Sequence, residues 1–155
     1  PCGSCADRGV RQTGGAMAPF THRLRVRYHE CDPQEIVFNA NYFAYFDVTL
    51  TELWRAAFDG ASYGEMIEDH GVDLVVAEAT ARFHGSARFD DEIDVEALIT
   101  RLGTTGMTTR FTVRRAADEL VIGEVRHVFV DATSWEKTAM PPAVRAALER
   151  YAAPA

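Results

Sequence analysis

Five stretches of the chain alternate between apolar and polar positions. In the first, apolar side chains at Leu24, Val26 and Tyr28 alternate with arginines. A period of two predicts a β-strand with one buried face. The stretches with this period are His22–His29, Leu74–His84, Ile93–Arg101, Met107–Arg115 and Leu120–Asp131. In the second stretch, the shared apolar face is predicted to consist of Val75, Ala77, Ala79, Ala81 and Phe83.

The stretch between the first two predicted strands is apolar on nearly every side. Helical periodicity over residues 40–58 leaves only a narrow polar strip, formed by Asp47, Thr51, Glu52 and Arg55. A helix of this kind should be buried, which in a short chain requires a sheet curled around it or a partner subunit. We expect Asn39 or Asn41 to cap its start and Gly60 to end it.

Two shorter helices complete the pattern. Ser62–His70 carries a capping box and is followed by Gly71, and a closing helix runs from Pro141 to Tyr151. Short connections between the last four strands predict that they are antiparallel. The sequence therefore predicts an α+β fold, a single domain over residues 19–155. Residues 1–18 are interpreted as a poorly ordered extension.

Composition narrows the possible classes of partner. The 155 residues include 47% hydrophobic residues and carry a net charge of −7, with 16 basic residues. This charge argues against nucleic acid as the principal partner. The sequence contains neither a membrane-length apolar stretch nor a secretory signal, so we expect no membrane association and a cytoplasmic location. Cys2 and Cys5 lack a second ligand pair, and we expect no metal site.

Two segments carry a resemblance to a known family. Tyr-His-Glu-Cys-Asp-Pro-Gln-Glu-Ile-Val-Phe-Asn-Ala-Asn-Tyr, residues 28–42, is similar to the signature of the 4-hydroxybenzoyl-CoA thioesterase-like family. Residues 83–93 resemble the family's second landmark, a strand leading into an acidic turn. The resemblance implies a hotdog fold, in which an antiparallel sheet of about five strands wraps a long central helix. It also implies a thioester hydrolase that forms a homodimer or tetramer.

Carried over by position, Asp32 falls on the family's catalytic carboxylate and Asn39 on its oxyanion donor. The free N–H groups at a helix start carry the positive end of the helix dipole, so they can stabilise the oxyanion of an attacked thioester. The carboxylate would act as general base or as nucleophile, and the sequence leaves both routes open. Glu35 replaces the family's usual turn glycine. A positive φ there would strain Glu35 by about 1 kcal/mol.

Further residues are expected to bind the substrate, namely Phe38, Asn41, Tyr42, Asp47 and Arg101. Asp47 fits either the acyl pocket or a subunit interface, and Arg101 is placed by the resemblance near the phosphates of coenzyme A. His127 is expected at the surface or in a groove. No redox or metal cofactor is expected, since coenzyme A is part of the substrate. The open alternatives are an acyl-carrier-protein thioesterase releasing a fatty or polyketide chain and a non-catalytic acyl-binding module.

Overall fold

A five-stranded antiparallel sheet and three α-helices make up the protein, described here by a computed structural model over residues 18–154. The strand order is β1-β3-β4-β5-β2, so β1 and β2 are the sheet edges. The elements are β1 (Phe20–Arg25), α1 (Asn41–Ala57), α2 (Tyr63–His70), β2 (Val72–Phe83), β3 (Glu92–Leu102), β4 (Gly106–Arg115), β5 (Asp118–Asp131) and α3 (Pro142–Glu149). The predicted α+β hotdog fold is confirmed. The expected extension and the Cys2–Cys5 motif lie outside the described residues.

Helix α1 packs against the sheet through its large side chains, as its apolar sequence predicts. Phe46 stacks on Phe111 of β4 with ring centroids 4.8 Å apart. The same ring fills the space over Gly123 of β5, where an added Cβ would lie 2.2 Å from Phe46. Any larger residue at position 123 would therefore force the Phe46 ring out of its place between α1 and the sheet. None of the described helices is long and apolar enough to cross a membrane.

Parts of α1 and of the edge strand β2 remain open to solvent. Phe43 and Val48 are exposed on α1, and Val76 of β2 is 60% exposed. A bulge between Val76 and Glu78 shifts the register of β2 against β5. The single apolar face predicted from Val75 to Phe83 is therefore wrong, because the extra residue reverses the alternation part way along the strand.

The first strand is shorter than its alternating pattern predicts. It ends at Arg25, and residues Tyr28–Glu30 form a 3₁₀ turn instead. The carboxylate of Glu30 accepts a hydrogen bond from the N–H of Arg27 at 2.7 Å, which turns the chain out of the sheet. Tyr28 is consequently 81% exposed rather than buried.

The helix termini agree with the sequence in one helix and disagree in the other. Helix α2 has the predicted capping box between Ser62 and Glu65, and Gly71 adopts the left-handed conformation that ends it. Helix α1 has no side-chain cap. The expectation that Asn39 or Asn41 caps α1 is wrong, since the amide of Asn41 instead donates to the carbonyl oxygen of Glu30 at 2.7 Å.

Candidate active site

A cleft of about 630 Å³ opens beside the start of α1. We call it the Asp32 cleft. Three segments form it: the turn after the 3₁₀ helix, the first turn of α1, and the end of β2 with the loop that follows. The lining residues include Asp32, Gln34, Phe38, Asn39, Tyr42, Phe83 and Ser86. The two predicted catalytic residues, Asp32 and Asn39, therefore lie in one cleft.

Asp32 begins a tight hairpin that is closed by backbone hydrogen bonds. The carbonyl oxygen of Asp32 accepts from the N–H of Glu35, and its own N–H donates to Ile36, both at 2.9 Å. A bridge between Cys31 and Val37 closes the hairpin. Three-residue loops of this kind end in a left-handed residue, normally glycine. Glu35 holds that position with φ of 61°. This is the positive φ at which the backbone of Glu35 was expected to be strained.

The carboxylate of Asp32 is half-buried and accepts a single hydrogen bond from the described residues. Oδ1 accepts a hydrogen bond from the N–H of Gln34 at 2.8 Å. No other hydrogen bond or ion pair reaches this carboxylate from residues 18–154. This single contact orients the side chain while leaving lone pairs on both oxygens free for a proton or an electrophile.

The start of α1 presents unpaired donors to the same cleft. The N–H of Phe38 donates to Glu30, and the N–H of Asn41 donates to Phe38, each at 2.9 Å. Between them, the N–H groups of Asn39 and Ala40 donate to no acceptor in the described part of the chain. Both donors directly precede the first helical residue. Seventeen helical residues behind them add the positive end of the helix dipole.

Tyr42 fixes the opposite wall of the cleft. Its hydroxyl accepts a hydrogen bond from the N–H of Ala87 at 2.9 Å, and the N–H of Val37 donates to the carbonyl oxygen of Ala87 at 2.9 Å. Burial raises the pKa of Tyr42, so the phenol stays neutral. These two bonds hold Ser86 beside the hairpin. Sequence reasoning missed Ser86 and Phe83 as cleft residues, although both fall in the second segment that carries the family resemblance.

The other predicted substrate-binding residues are dispersed. Phe38 and Tyr42 line the Asp32 cleft, whereas Asn41 instead anchors the helix start to Glu30. Asp47 lies in a separate cavity of about 220 Å³ between α1, β2 and β5, here called the α1–β2 pocket. Its walls include Phe43, Asp47, Leu50, Val76, Ala79 and His127.

His127 lies in the wall of the α1–β2 pocket and is only 5% exposed, so of the two expected positions, surface or groove, it takes the groove. The reason is that its alternation along β5 places it on the inner face of the sheet, between Val125 and Phe129. Burial lowers the pKa of His127 to about 4, and the nearby Asp47 carboxylate opposes that shift.

Arg101 lies at the far end of the sheet from Asp32. It borders a groove of about 350 Å³ together with Arg126 and Lys137. Positions on β5 locate the two sites. The groove includes His127 of β5, whereas the Asp32 cleft includes Phe83, which pairs with Val121 of β5. Six strand residues separate the two positions, about 20 Å. Arg101 therefore does not share a cleft with Asp32 within one protomer.

Comparison with known proteins identifies relatives with the same architecture. A model of the thioesterase-like superfamily matches residues 26–148. The Escherichia coli acyl-CoA thioester hydrolase YbgC is 27% identical over 126 residues, which cover 81% of this chain and 92% of that protein. A solved Thermus thermophilus structure, described as a hypothetical protein, is 25% identical in sequence with a TM-score of 0.77. The match covers 84% of this chain and 98% of the Thermus chain. The dynemicin thioesterase is 22% identical with a TM-score of 0.78 and covers 88% and 99%, which shows a shared fold.

Proposed function

The chain belongs to the thioesterase-like superfamily, and on that premise we propose that it hydrolyses an acyl-CoA thioester to a carboxylic acid and free coenzyme A. One observation carries the proposal. The Asp32 cleft brings together a lightly engaged carboxylate and the helix start where the N–H groups of Asn39 and Ala40 have no partner in residues 18–154. The acyl-CoA thioester hydrolase among its relatives supports the choice of substrate class.

In the proposed mechanism, the thioester carbonyl oxygen lies against the start of α1. The N–H of Asn39 donates to the oxygen as negative charge develops on it, and the helix dipole adds to that stabilisation. The Asp32 carboxylate acts on the carbonyl carbon by one of two routes. As a general base it removes a proton from an attacking water, and as a nucleophile it forms an anhydride that water then hydrolyses. In both routes the thiol of coenzyme A leaves.

We further propose that the protein works as a homodimer or as a tetramer built from two such dimers. Within residues 18–154, no strand pairs with the outer edge of the 12-residue β2, and Val76 lies exposed beside it. Phe43, which lines the same pocket as Val76, extends this apolar surface onto α1. A long apolar edge of this kind is normally covered. A two-fold partner would cover it and bring the far end of one sheet toward the Asp32 cleft of the other protomer.

That arrangement gives Arg101 its proposed role in the partner's site. Arg101 and Lys137 have no carboxylate partner in residues 18–154 and lie in one groove, so they can bind the phosphates of coenzyme A. We expect Arg101→Gln to raise KM for an acyl-CoA without changing kcat. The same acyl group on pantetheine, which lacks the nucleotide, serves as the control and should show no change. An equal effect on both substrates would contradict the phosphate contact.

The experiment that tests the function is hydrolysis of a panel of acyl-CoA and acyl-carrier-protein thioesters. Wild type is compared with Asp32→Asn and with Asp69→Asn, a matched change at an exposed aspartate of α2. We expect Asp32→Asn to lower kcat by about a hundredfold or more and Asp69→Asn to leave it unchanged. Equal rates in all three proteins would refute the role of Asp32. Turnover of carrier-protein thioesters alone would favour the chain-releasing alternative, and no turnover at all would favour an acyl-binding module.

A further inference from the structure

The α1–β2 pocket contains a buried polar side chain with no hydrogen-bond partner. The Nδ1 atom of His127 is fully buried, and neither imidazole nitrogen bonds to any residue in the 18–154 range. Leaving a buried polar group unpaired costs stability, so such a group requires an explanation. Thr49, another buried polar residue of the core, shows the usual situation, since its hydroxyl donates to the carbonyl oxygen of Tyr45 at 2.7 Å.

A second unpaired group lies on the same face of the sheet. The Oγ1 atom of Thr109 is buried and has no hydrogen-bond partner among the residues that the structure describes. Thr109 pairs with Val125, and His127 pairs with Met107, which makes Thr109 and His127 diagonal neighbours on adjacent strands. Two of the three buried polar atoms without a partner in the described residues, the third being Nε1 of Trp54, are thus neighbours at a pocket whose walls are otherwise mostly apolar.

The position of the pocket connects it to the proposed reaction. Tyr42 lines the Asp32 cleft and Phe43, the next residue of α1, lines the α1–β2 pocket. From its first residue, Asn41, to Asp47 the helix rises by about 9 Å. An extended acyl chain that starts at the thioester and follows α1 over that distance has on the order of ten backbone atoms. A cavity of about 220 Å³ is larger than one that holds benzene, so it can contain the far end of such a chain.

We propose that the α1–β2 pocket receives the end of the acyl group farthest from the thioester, and that His127 hydrogen-bonds a hydroxyl or carbonyl oxygen at that end. The inference rests on the proposed thioesterase function and narrows its substrate to medium-length acyl groups with a distal polar atom. A neutral imidazole suits this role because it can donate through one nitrogen and accept through the other. Asp47, in the wall of the same pocket, can accept a hydrogen bond from a distal hydroxyl.

The test compares decanoyl-CoA with 10-hydroxydecanoyl-CoA, which differ only in the distal hydroxyl. We expect wild type to favour the hydroxylated thioester in kcat/KM by about five- to tenfold, the effect of one net hydrogen bond. His127→Leu should abolish the preference, and His127→Gln, which keeps hydrogen-bonding atoms, should retain part of it. His22→Leu, at a half-buried histidine of β1 outside the pocket, is the matched control and should leave the preference intact.

Several results would overturn the inference while the proposed function stands. One is equal kcat/KM for the two thioesters in wild type, and another is a preference that persists in His127→Leu. Weaker dimerisation of His127→Leu with no wild-type preference would mean that a partner side chain fills the pocket. If wild type hydrolyses neither thioester, the proposed function fails. Calorimetry with decanoate and 10-hydroxydecanoate then tests whether the pocket recognises the distal hydroxyl. Equal affinities for the two acids overturn the inference. A preference for the hydroxy acid that is lost in His127→Leu supports it.

Discussion

Replacing Glu35 with glycine should stabilise the protein although it removes a side chain. Glu35 has φ of 61° at the left-handed position of the Asp32 hairpin. That conformation costs a residue with a Cβ roughly 1–2 kcal/mol. Glycine avoids this cost but gives up about 0.5–1 kcal/mol through its greater freedom in the unfolded chain. The Glu35 side chain is exposed and makes no hydrogen bond or ion pair within residues 18–154, so no contact is lost.

The net expectation is a gain of about 0.5–1 kcal/mol in the free energy of unfolding, or about 1–4 °C in Tm for a domain of this size. Urea unfolding at matched protein concentration measures it, with the fluorescence of the buried Trp54 as one signal. Glu35→Ala is the control because it removes the carboxylate and keeps the Cβ. An equal gain in Glu35→Ala would refute the reasoning, since the cause would then be charge rather than backbone strain.

Three further predictions concern other parts of the molecule. Tyr42→Phe should cost about 1–3 kcal/mol in urea unfolding, because the buried N–H of Ala87 loses its acceptor; an unchanged midpoint would contradict this. Because the pKa of His127 is about 4 when folded and about 6.5 when unfolded, the unfolded state binds more protons between these values. The free energy of unfolding should therefore fall by up to roughly 3 kcal/mol as pH drops from 6.5 to 4, and His127→Leu should remove that slope. Val76→Lys, on the open edge of β2, should shift sedimentation from dimer to monomer, and an unchanged oligomer would contradict the proposed interface.

The sequence was sufficient for the fold because its two periodicities are strong. The alternation in the later strands and the apolar surface of α1 constrain each other, since each provides the surface that the other buries. Capping chemistry was equally clear at Ser62 and Gly71, where the local sequence alone satisfies the free backbone groups. These features depend on near neighbours in the chain.

The errors lie where particular side-chain contacts or strand pairings compete with the periodic pattern. Tyr28 leaves the strand pattern because Glu30 turns the chain, and Asn41 gives up capping α1 for a bond to the carbonyl oxygen of Glu30. The bulge after Val76 has no signal in the alternation, since it adds one residue without changing composition.

The candidate site was predictable only in part. The positions of Asp32 and Asn39 follow from one continuous motif, and both line the cleft. Ser86 and the wall fixed by Tyr42 depend on a contact between residues 45 positions apart in the chain. The distance of Arg101 from the cleft follows from strand register, which the sequence pattern does not specify.

A structure of the Asp32→Asn protein with an unhydrolysed acyl-CoA tests the central claim most directly, because the slow variant keeps the thioester intact. The account predicts that the thioester carbonyl oxygen lies within about 3.1 Å of the backbone nitrogen of Asn39. It also predicts that the side chain at position 32 lies within about 3.5 Å of the carbonyl carbon or of a water poised to attack it. A carbonyl oxygen bound away from the start of α1, with the position 32 side chain out of reach of its carbon, would contradict the account.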